Sequence, residues 1–161
     1  MEQRAPGTKT KRRRPEPVTV ERRQQPRAPL VYSELFPSVT ASIEPVLERA
    51  LGKLGELGCL NGSHPEIDLA LHEALINAIK HGNRGSRRKR VELRCFQLHD
   101  GGILLVVRDE GQGFDPSEIP DPTRPENRLR ASGRGILLIR SFMDEVRFER
   151  GGSEIRMKKK T

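Results

Sequence analysis

The chain has 161 residues, of which 34% are hydrophobic and 32% charged, and this length suits one compact domain with tails. Its formal net charge of +8 lies at the two ends, because residues 30–155 hold 17 basic and 19 acidic side chains. A domain with that balance is not expected to bind nucleic acid, and no apolar run approaches the roughly 18 residues of a membrane span.

Residues 1–29 form a tail with nine Lys/Arg, three Glu and almost no large apolar side chains. Such a segment cannot bury enough apolar surface to offset the entropy lost on ordering, so we expect it to be disordered. A solvated basic tail and an electrostatic contact with RNA, DNA or an acidic partner both stay open. The stretch after Met1 lacks the apolar core of a signal peptide, so we expect a cytoplasmic protein without a membrane partner.

Two helices are predicted next. Apolar positions recur at helical spacing over residues 43–57, which indicates an amphipathic helix with Ser42 as its N-cap. After a turn rich in Gly, Asn and Ser, a second helix is predicted from about 65 to 81. It ends at Gly82, since glycine is common just past a helix C-terminus.

A hairpin and a long loop follow. Residues 91–98 begin with apolar/charged alternation, which predicts a half-buried strand. Residues 103–107 are continuously apolar, which predicts a strand buried on both faces, and that run stops at Asp109. The stretch 114–132 contains four prolines and no periodicity. Loops of this length in a compact domain are typically functional lids or disordered segments.

The last elements are a short apolar helix over 135–143 and two alternating strands over 146–149 and 154–158. The resulting order is helix, helix, strand, strand, loop, helix, strand, strand. We therefore predict an α+β fold, a two-layer α/β sandwich in which a mixed or antiparallel sheet carries helices on one face.

The first candidate site is on the second helix, where Glu73 and Asn77 are four residues apart and so share one face. An acid and an amide among apolar neighbours need polar partners to offset their desolvation. A carboxylate can accept a proton, and an amide oxygen is a hard ligand suited to Mg²⁺. An ordinary surface pair is the alternative. A zinc-protease helix is excluded, since it needs a second His where Ile76 stands.

Two glycine-containing segments are the other candidates. Asp109, directly after the buried strand, could accept a hydrogen bond from an exocyclic amine, while Gly111 and Gly113 allow close approach to a flat ring. An ordinary Asp/Gly turn is the alternative. The Ser-Gly-Arg-Gly run that ends at Gly135 opens the last helix, where free backbone N–H groups could face phosphate oxygens. A simple N-cap by Ser132 is the alternative there.

These three segments, in this order, resemble the motifs of the Bergerat-fold (GHKL) ATPases, the superfamily that includes gyrase, histidine kinases and MutL. The N box of this superfamily matches Glu73 and Asn77. The first glycine box matches Asp109, Gly111 and Gly113, and the second glycine box matches Gly133 and Gly135. The loop between the glycine boxes would be the ATP lid.

Within that superfamily the chain is similar to the small bacterial anti-sigma factor/serine kinase family of the RsbW and SpoIIAB type. The resemblance covers roughly residues 30–158 as one histidine-kinase-like ATPase domain. The basic tail 1–29 and the basic C-terminal end 159–161 fall outside it.

The resemblance implies ATP and Mg²⁺ as cofactors. Asp109 would hydrogen-bond the adenine amino group, Asn77 would ligate Mg²⁺, and Glu73 would be the general base toward a serine or threonine hydroxyl. Of the three arginines that compete for the lid position, Arg130 is favoured over Arg128 and Arg134. The full set of implied ATP-binding positions is Asn77, Asp109, Gly111, Gly113, Arg130, Gly133, Arg134 and Gly135.

The function implied is that of an ATP-binding regulatory serine/threonine-protein kinase and anti-sigma factor. It would phosphorylate an anti-anti-sigma (STAS-type) partner and sequester a sigma factor, a partner-switching mode of transcription regulation, and the resemblance suggests a homodimer. Three alternatives stay open. They are a non-catalytic ATP-gated protein-binding module, a detached histidine-kinase catalytic domain, and a nucleic-acid binder driven by the basic tail.

Overall fold

The computed structural model describes residues 28–113 and 134–160, and the expected lid with Arg130 and Gly133 lies outside them, as do residues 1–27 of the tail. The strands are β1 (Leu30–Pro37), β2 (Arg90–Gln97), β3 (Ile103–Asp109), β4 (Glu145–Glu149) and β5 (Glu154–Lys159). The helices are α1 (Ile43–Glu56), α2 (Pro65–Asn77) and α3 (Arg134–Phe142). Among the described residues, no helix is both long and apolar enough to cross a membrane.

The strands form one sheet in the order β1-β2-β3-β5-β4, and every neighbouring pair is antiparallel. The sequence predicted a mixed or antiparallel sheet, and the sheet in the structure is antiparallel. β3 lies at the centre, and all of its residues from Ile103 to Val107 are buried. This confirms the expectation that the continuous apolar run forms a strand buried on both faces.

The three helices pack against one face of the sheet and enclose the main hydrophobic core. α1 contributes the apolar positions that its periodicity predicted, namely Ile43, Val46, Leu47, Ala50 and Leu54. The sheet contributes alternate residues from its central strands, among them Val91, Leu93, Cys95, Leu105, Val107 and Met157. The predicted two-layer α+β sandwich is therefore confirmed.

Strand β1 was missed by the sequence analysis. It lies at the sheet edge, so only Phe36 of its eight residues is buried and the apolar alternation is blurred. Side-chain hydrogen bonds link β1 to helix α1. The Tyr32 hydroxyl donates to Glu34, and Arg49 of α1 donates two further bonds to that carboxylate, at 3.1 and 2.6 Å.

Candidate functional site

The first candidate segment lies on α2, which begins at Pro65, a residue well suited to a first helical turn. Glu73 and Asn77 are both half-buried on this helix. After Asn77 the chain does not continue as the predicted α-helix. It widens into a π-helical turn over Ala78–Gly82, which closes when the Asn83 N–H donates to the Ala78 carbonyl at 2.8 Å. Such turns are rare and frequently occur at functional sites.

The start of α3 rests directly on Glu73 and Asn77. A Cβ atom added to Gly135 would lie 2.5 Å from Glu73 Oε2 and 3.4 Å from Asn77 Nδ2. Only a residue without a side chain fits there with its neighbours unmoved. The first and third predicted segments therefore meet, and the acid and the amide face the backbone of α3 at its N-terminal end.

The second candidate segment centres on Asp109, which ends β3 and is 8% exposed. Its Oδ1 accepts a hydrogen bond from the Gly111 N–H at 2.7 Å. Burial raises the pKa of the Asp109 carboxyl above its usual value, and this outweighs the lowering by the Gly111 bond and by Lys89 and Arg108. The chain therefore retains a carboxylate where a charge is unfavourable.

Two glycines let the end of α2 approach this carboxylate. A Cβ atom on Gly82 would overlap the Asp109 side chain, and one on Gly111 would overlap the Gly82 carbonyl. Gly113 has φ +76° and lies against the Gly151 carbonyl of the β4–β5 turn. The backbone around Asp109 is thus packed so closely that no side chain fits at Gly82, Gly111 or Gly113.

The structure therefore places the predicted residues in two groups, joined by the last turns of α2 and the π-helical turn after it. Glu73 and Asn77 meet Gly135, while Asp109 and Gly111 meet Gly82, where the π-helical turn ends. Of the other predicted positions, Arg134 is exposed at the start of α3, and Gly113 is half-buried beside the β4–β5 turn. Arg130 and Gly133 lie outside the described residues.

Within residues 28–113 and 134–160, no group of three or more His, Cys, Asp or Glu side chains could hold a metal ion. A cation at this site would depend on Asn77 together with ligands that the described side chains do not supply. That donor set fits Mg²⁺, which usually keeps several waters and takes phosphate oxygens beside one or two protein ligands.

Gly82 and Asn83 also belong to this candidate site, and neither was predicted from the sequence. Gly82 was interpreted only as a helix end, yet it contacts the Asp109 carboxyl. Asn83 is 1% exposed and hydrogen-bonded through its side chain, although a polar residue after a helix usually lies at the surface. The one signal available was the pair itself, a glycine and an amide directly after the helix that carries Glu73 and Asn77.

Comparison with known proteins shows similarity over most of the described domain. The model of the family described as "Histidine kinase-like ATPase domain" matches residues 36–159, more than half of the chain. The chain is 34% identical over 84 residues to the serine-protein kinase RsbW of Staphylococcus epidermidis, covering 48% of this chain and 53% of the relative.

Two anti-sigma F factors are also similar. The one from Priestia megaterium is 38% identical over 88 residues, covering 52% of this chain and 58% of the relative. The one from Geobacillus stearothermophilus is 40% identical over 85 residues, covering 50% of this chain and 56% of the relative. The chain spans about half the length of the curated relatives it matches.

Replacing Gly111 by alanine should destabilise the protein, because the new methyl group would lie 2.0 Å from the Gly82 carbonyl oxygen, a backbone atom that cannot turn away as a side chain can. We expect the free energy of unfolding to fall by about 1–3 kcal/mol, the usual cost of overpacking. Gly52→Ala is the matched control, since it lies inside α1 with nothing within 4 Å, and should raise stability by about 1 kcal/mol. Urea unfolding measures both, and equal shifts would contradict the close packing at Gly111.

Replacing Asp109 by asparagine should stabilise the protein at neutral pH. The folded-state pKa of Asp109 is raised, so burying its charge costs stability above that pKa, and the cost disappears as pH falls below the unfolded value. Asparagine keeps an oxygen for the Gly111 N–H but carries no charge. Urea unfolding at pH 7 and at pH 4 should show a gain that shrinks toward acid; a variant less stable than wild type at pH 7 would contradict this.

Proposed function

The chain belongs to the histidine kinase-like ATPase domain family, and on that premise we propose that it is an ATP-binding regulatory serine/threonine-protein kinase and anti-sigma factor. The observation that carries the proposal is the arrangement along α2. An acid and an amide in the last turns of α2 meet a glycine of α3, and a buried carboxylate meets Gly82 at the end of the π-helical turn that follows. A nucleotide would lie between these two contacts.

Asp109 would recognise the adenine base. A desolvated carboxylate lacks the water that would otherwise hydrogen-bond to it, so a donor such as the adenine amino group is strongly favoured. The absence of side chains at Gly82 and Gly111 lets the backbone pack directly against the carboxylate, which would hold it in place for the base. Gly113, also without a side chain, would let the backbone pass close to the base.

The phosphates would lie toward Asn77 and the start of α3. Asn77 would supply an oxygen ligand to Mg²⁺, and the ion would neutralise charge on the phosphate oxygens. Backbone donors at Gly133, Arg134 and Gly135 would contact those oxygens, because N–H groups at a helix start have no partner within the helix. Arg130 would add a positive charge from the lid.

Glu73 would act as the general base of phosphoryl transfer. It would accept the proton of a serine or threonine hydroxyl as the hydroxyl oxygen bonds to the γ-phosphorus and the bond from that phosphorus to ADP breaks. Such a transfer needs positioning and charge stabilisation more than covalent participation by the protein. The short set of groups around α2 supports this chemistry.

We propose the partners of this chain from the names of its relatives. One matched protein is named a serine-protein kinase and two are named anti-sigma F factors, which supports a sigma factor as one partner of this chain. A STAS-type anti-anti-sigma protein would be the phosphoryl acceptor. The domain over residues 30–158 would carry out both roles in the cytoplasm, as a homodimer, with the basic ends 1–29 and 159–161 outside the ATP site.

Replacing Glu73 by alanine should abolish transfer but leave ATP binding intact. Loss of a general base typically lowers the rate about 10²–10⁴-fold. The measurement is phosphate transfer from γ-labelled ATP to an anti-anti-sigma protein, with ATP affinity measured by calorimetry. Asp68→Ala is the control, since Asp68 is an exposed acid on the same helix and should leave the rate unchanged.

A wild-type transfer rate in the Glu73→Ala variant would refute the role of Glu73 as base. If the wild-type protein binds ATP but transfers no phosphate to any tested antagonist, the ATP-gated binding module replaces the kinase as the proposed function.

Replacing Asp109 by asparagine should weaken ATP binding while the protein stays folded. We expect a loss of about 1–3 kcal/mol in binding free energy, because the amide places a donor or a weaker acceptor toward the adenine amino group. Calorimetry with Mg-ATP measures this. Asp100→Asn, in the β2–β3 turn beyond the opposite end of β3, is the control and should not change the affinity. Equal affinities in wild type and Asp109→Asn would refute the adenine role.

A further inference from the structure

Asn83 is a buried amide whose hydrogen-bonding capacity is used on both sides. It is 1% exposed. Its Nδ2 donates to Ser38 Oγ at 3.0 Å and to the Arg90 carbonyl at 2.8 Å, and its Oδ1 accepts from the Glu110 N–H at 2.9 Å. A buried amide with these bonds satisfied fixes the groups around it, because breaking any one bond would leave a desolvated polar group unpaired.

These bonds join three chain segments at one point. Ser38 follows β1, Arg90 begins β2, and Glu110 comes directly after Asp109 at the end of β3. The backbone of Asn83 itself closes the π-helical turn that ends α2. One side chain therefore connects the end of α2 to the turn that carries Asp109.

A second bond supports the same turn. The Arg90 N–H donates to Glu110 Oε2 at 2.7 Å, so Glu110 is held through both its backbone and its side chain. Asp109 is the preceding residue, and its carboxylate lies against Gly82, which precedes Asn83. A shift of the Glu110 backbone would therefore move Asp109 relative to the end of α2.

The position of Asp109 decides which purine a carboxylate at this place accepts. Adenine presents an amino donor at the ring position where guanine presents an oxygen acceptor. A carboxylate aimed at that position binds adenine and repels guanine. Displaced along the ring edge, it can instead accept the guanine N1–H and 2-amino donors. Sites built to hydrogen-bond one group discriminate strongly against an analogue lacking it, provided that the geometry is fixed.

We propose that Asn83 is a positioning residue that sets the preference of this site for adenine over guanine nucleotides. It does so by holding the Asp109–Gly111 turn against the end of α2, without contacting the nucleotide. The inference rests on the proposed ATP-binding function and adds to it the source of base selectivity.

The test compares dissociation constants for Mg-ATP and Mg-GTP in wild type and in Asn83→Ala, on protein shown to be folded by circular dichroism. We expect the GTP-to-ATP ratio of dissociation constants to fall about tenfold in the variant, mainly through weaker ATP binding, the size expected for one misaligned hydrogen bond. If Asn83→Ala only destabilised the fold, the folded fraction would fall. The apparent affinities for ATP and GTP would then fall by the same factor, and the ratio of dissociation constants would not change.

Asn83→Ser covers the case in which the alanine variant does not fold. A serine hydroxyl cannot reach all three partners of Asn83, so the ratio should fall in the same direction. Tyr32→Phe is the control, because it removes the bond to Glu34 on β1, away from Asp109, and should lower stability without changing the ratio.

A wild-type ratio in a folded Asn83 variant would overturn the inference while leaving ATP binding in place. Failure of the wild-type protein to bind Mg-ATP would overturn the proposed function itself, and the two failures are thus distinguishable.

Discussion

The close approach of Gly82 to Asp109 and Gly111 is the contact on which the candidate site depends. α2 packs on the sheet through its apolar side chains, which fixes the distance between helix and sheet. The position of the helix end relative to β3 is fixed separately, by the backbone contact at Gly82. With it, the face that carries Glu73 and Asn77 and the carboxylate of Asp109 become two ends of one surface.

The same contact explains why Asp109 is an unfavourable residue for stability. Packing backbone against the carboxyl removes water from it, and the single Gly111 bond does not fully compensate, since the pKa stays raised. Proteins often retain such groups where a ligand supplies the missing interaction. In the proposed function, a nucleotide amino group at Asp109 would supply the hydrogen-bond partner that burial removes, so part of the binding free energy would come from a carboxylate left incompletely paired in the fold.

The features that could be predicted from sequence are those set by local periodicity. α1 and the central strand β3 were predicted because their apolar residues recur at the helical spacing or run continuously. The acid–amide pair of Glu73 and Asn77 and the glycines beside Asp109 were predicted as site residues because their spacing is itself the signal. The family match over residues 36–159 confirms the family, while the roles of these residues stay predictions.

The features that were missed are set by contacts between distant segments. β1 is an edge strand held by pairing and by an ion pair with α1, so its own pattern is weak. The π-helical turn after Asn77 follows from where the helix must meet β3, and no local propensity encodes it. Asn83 looks like a loop residue in sequence, and only the convergence of three segments upon it reveals its burial.

The π-helical turn also constrains how the length of this region can vary. A π turn takes up about one residue more than an α turn over a similar rise. Deleting a single residue between Asn77 and Gly82 could restore a regular α-helix and leave the apolar pattern of α2 untouched. The Asn83 N–H could then still donate to the Ala78 carbonyl, as an ordinary α-helical bond, so the residues that follow would keep nearly the same orientation. A deletion at this turn should therefore be tolerated better than one inside α2, which would rotate every later residue, Gly82 included, by about 100°.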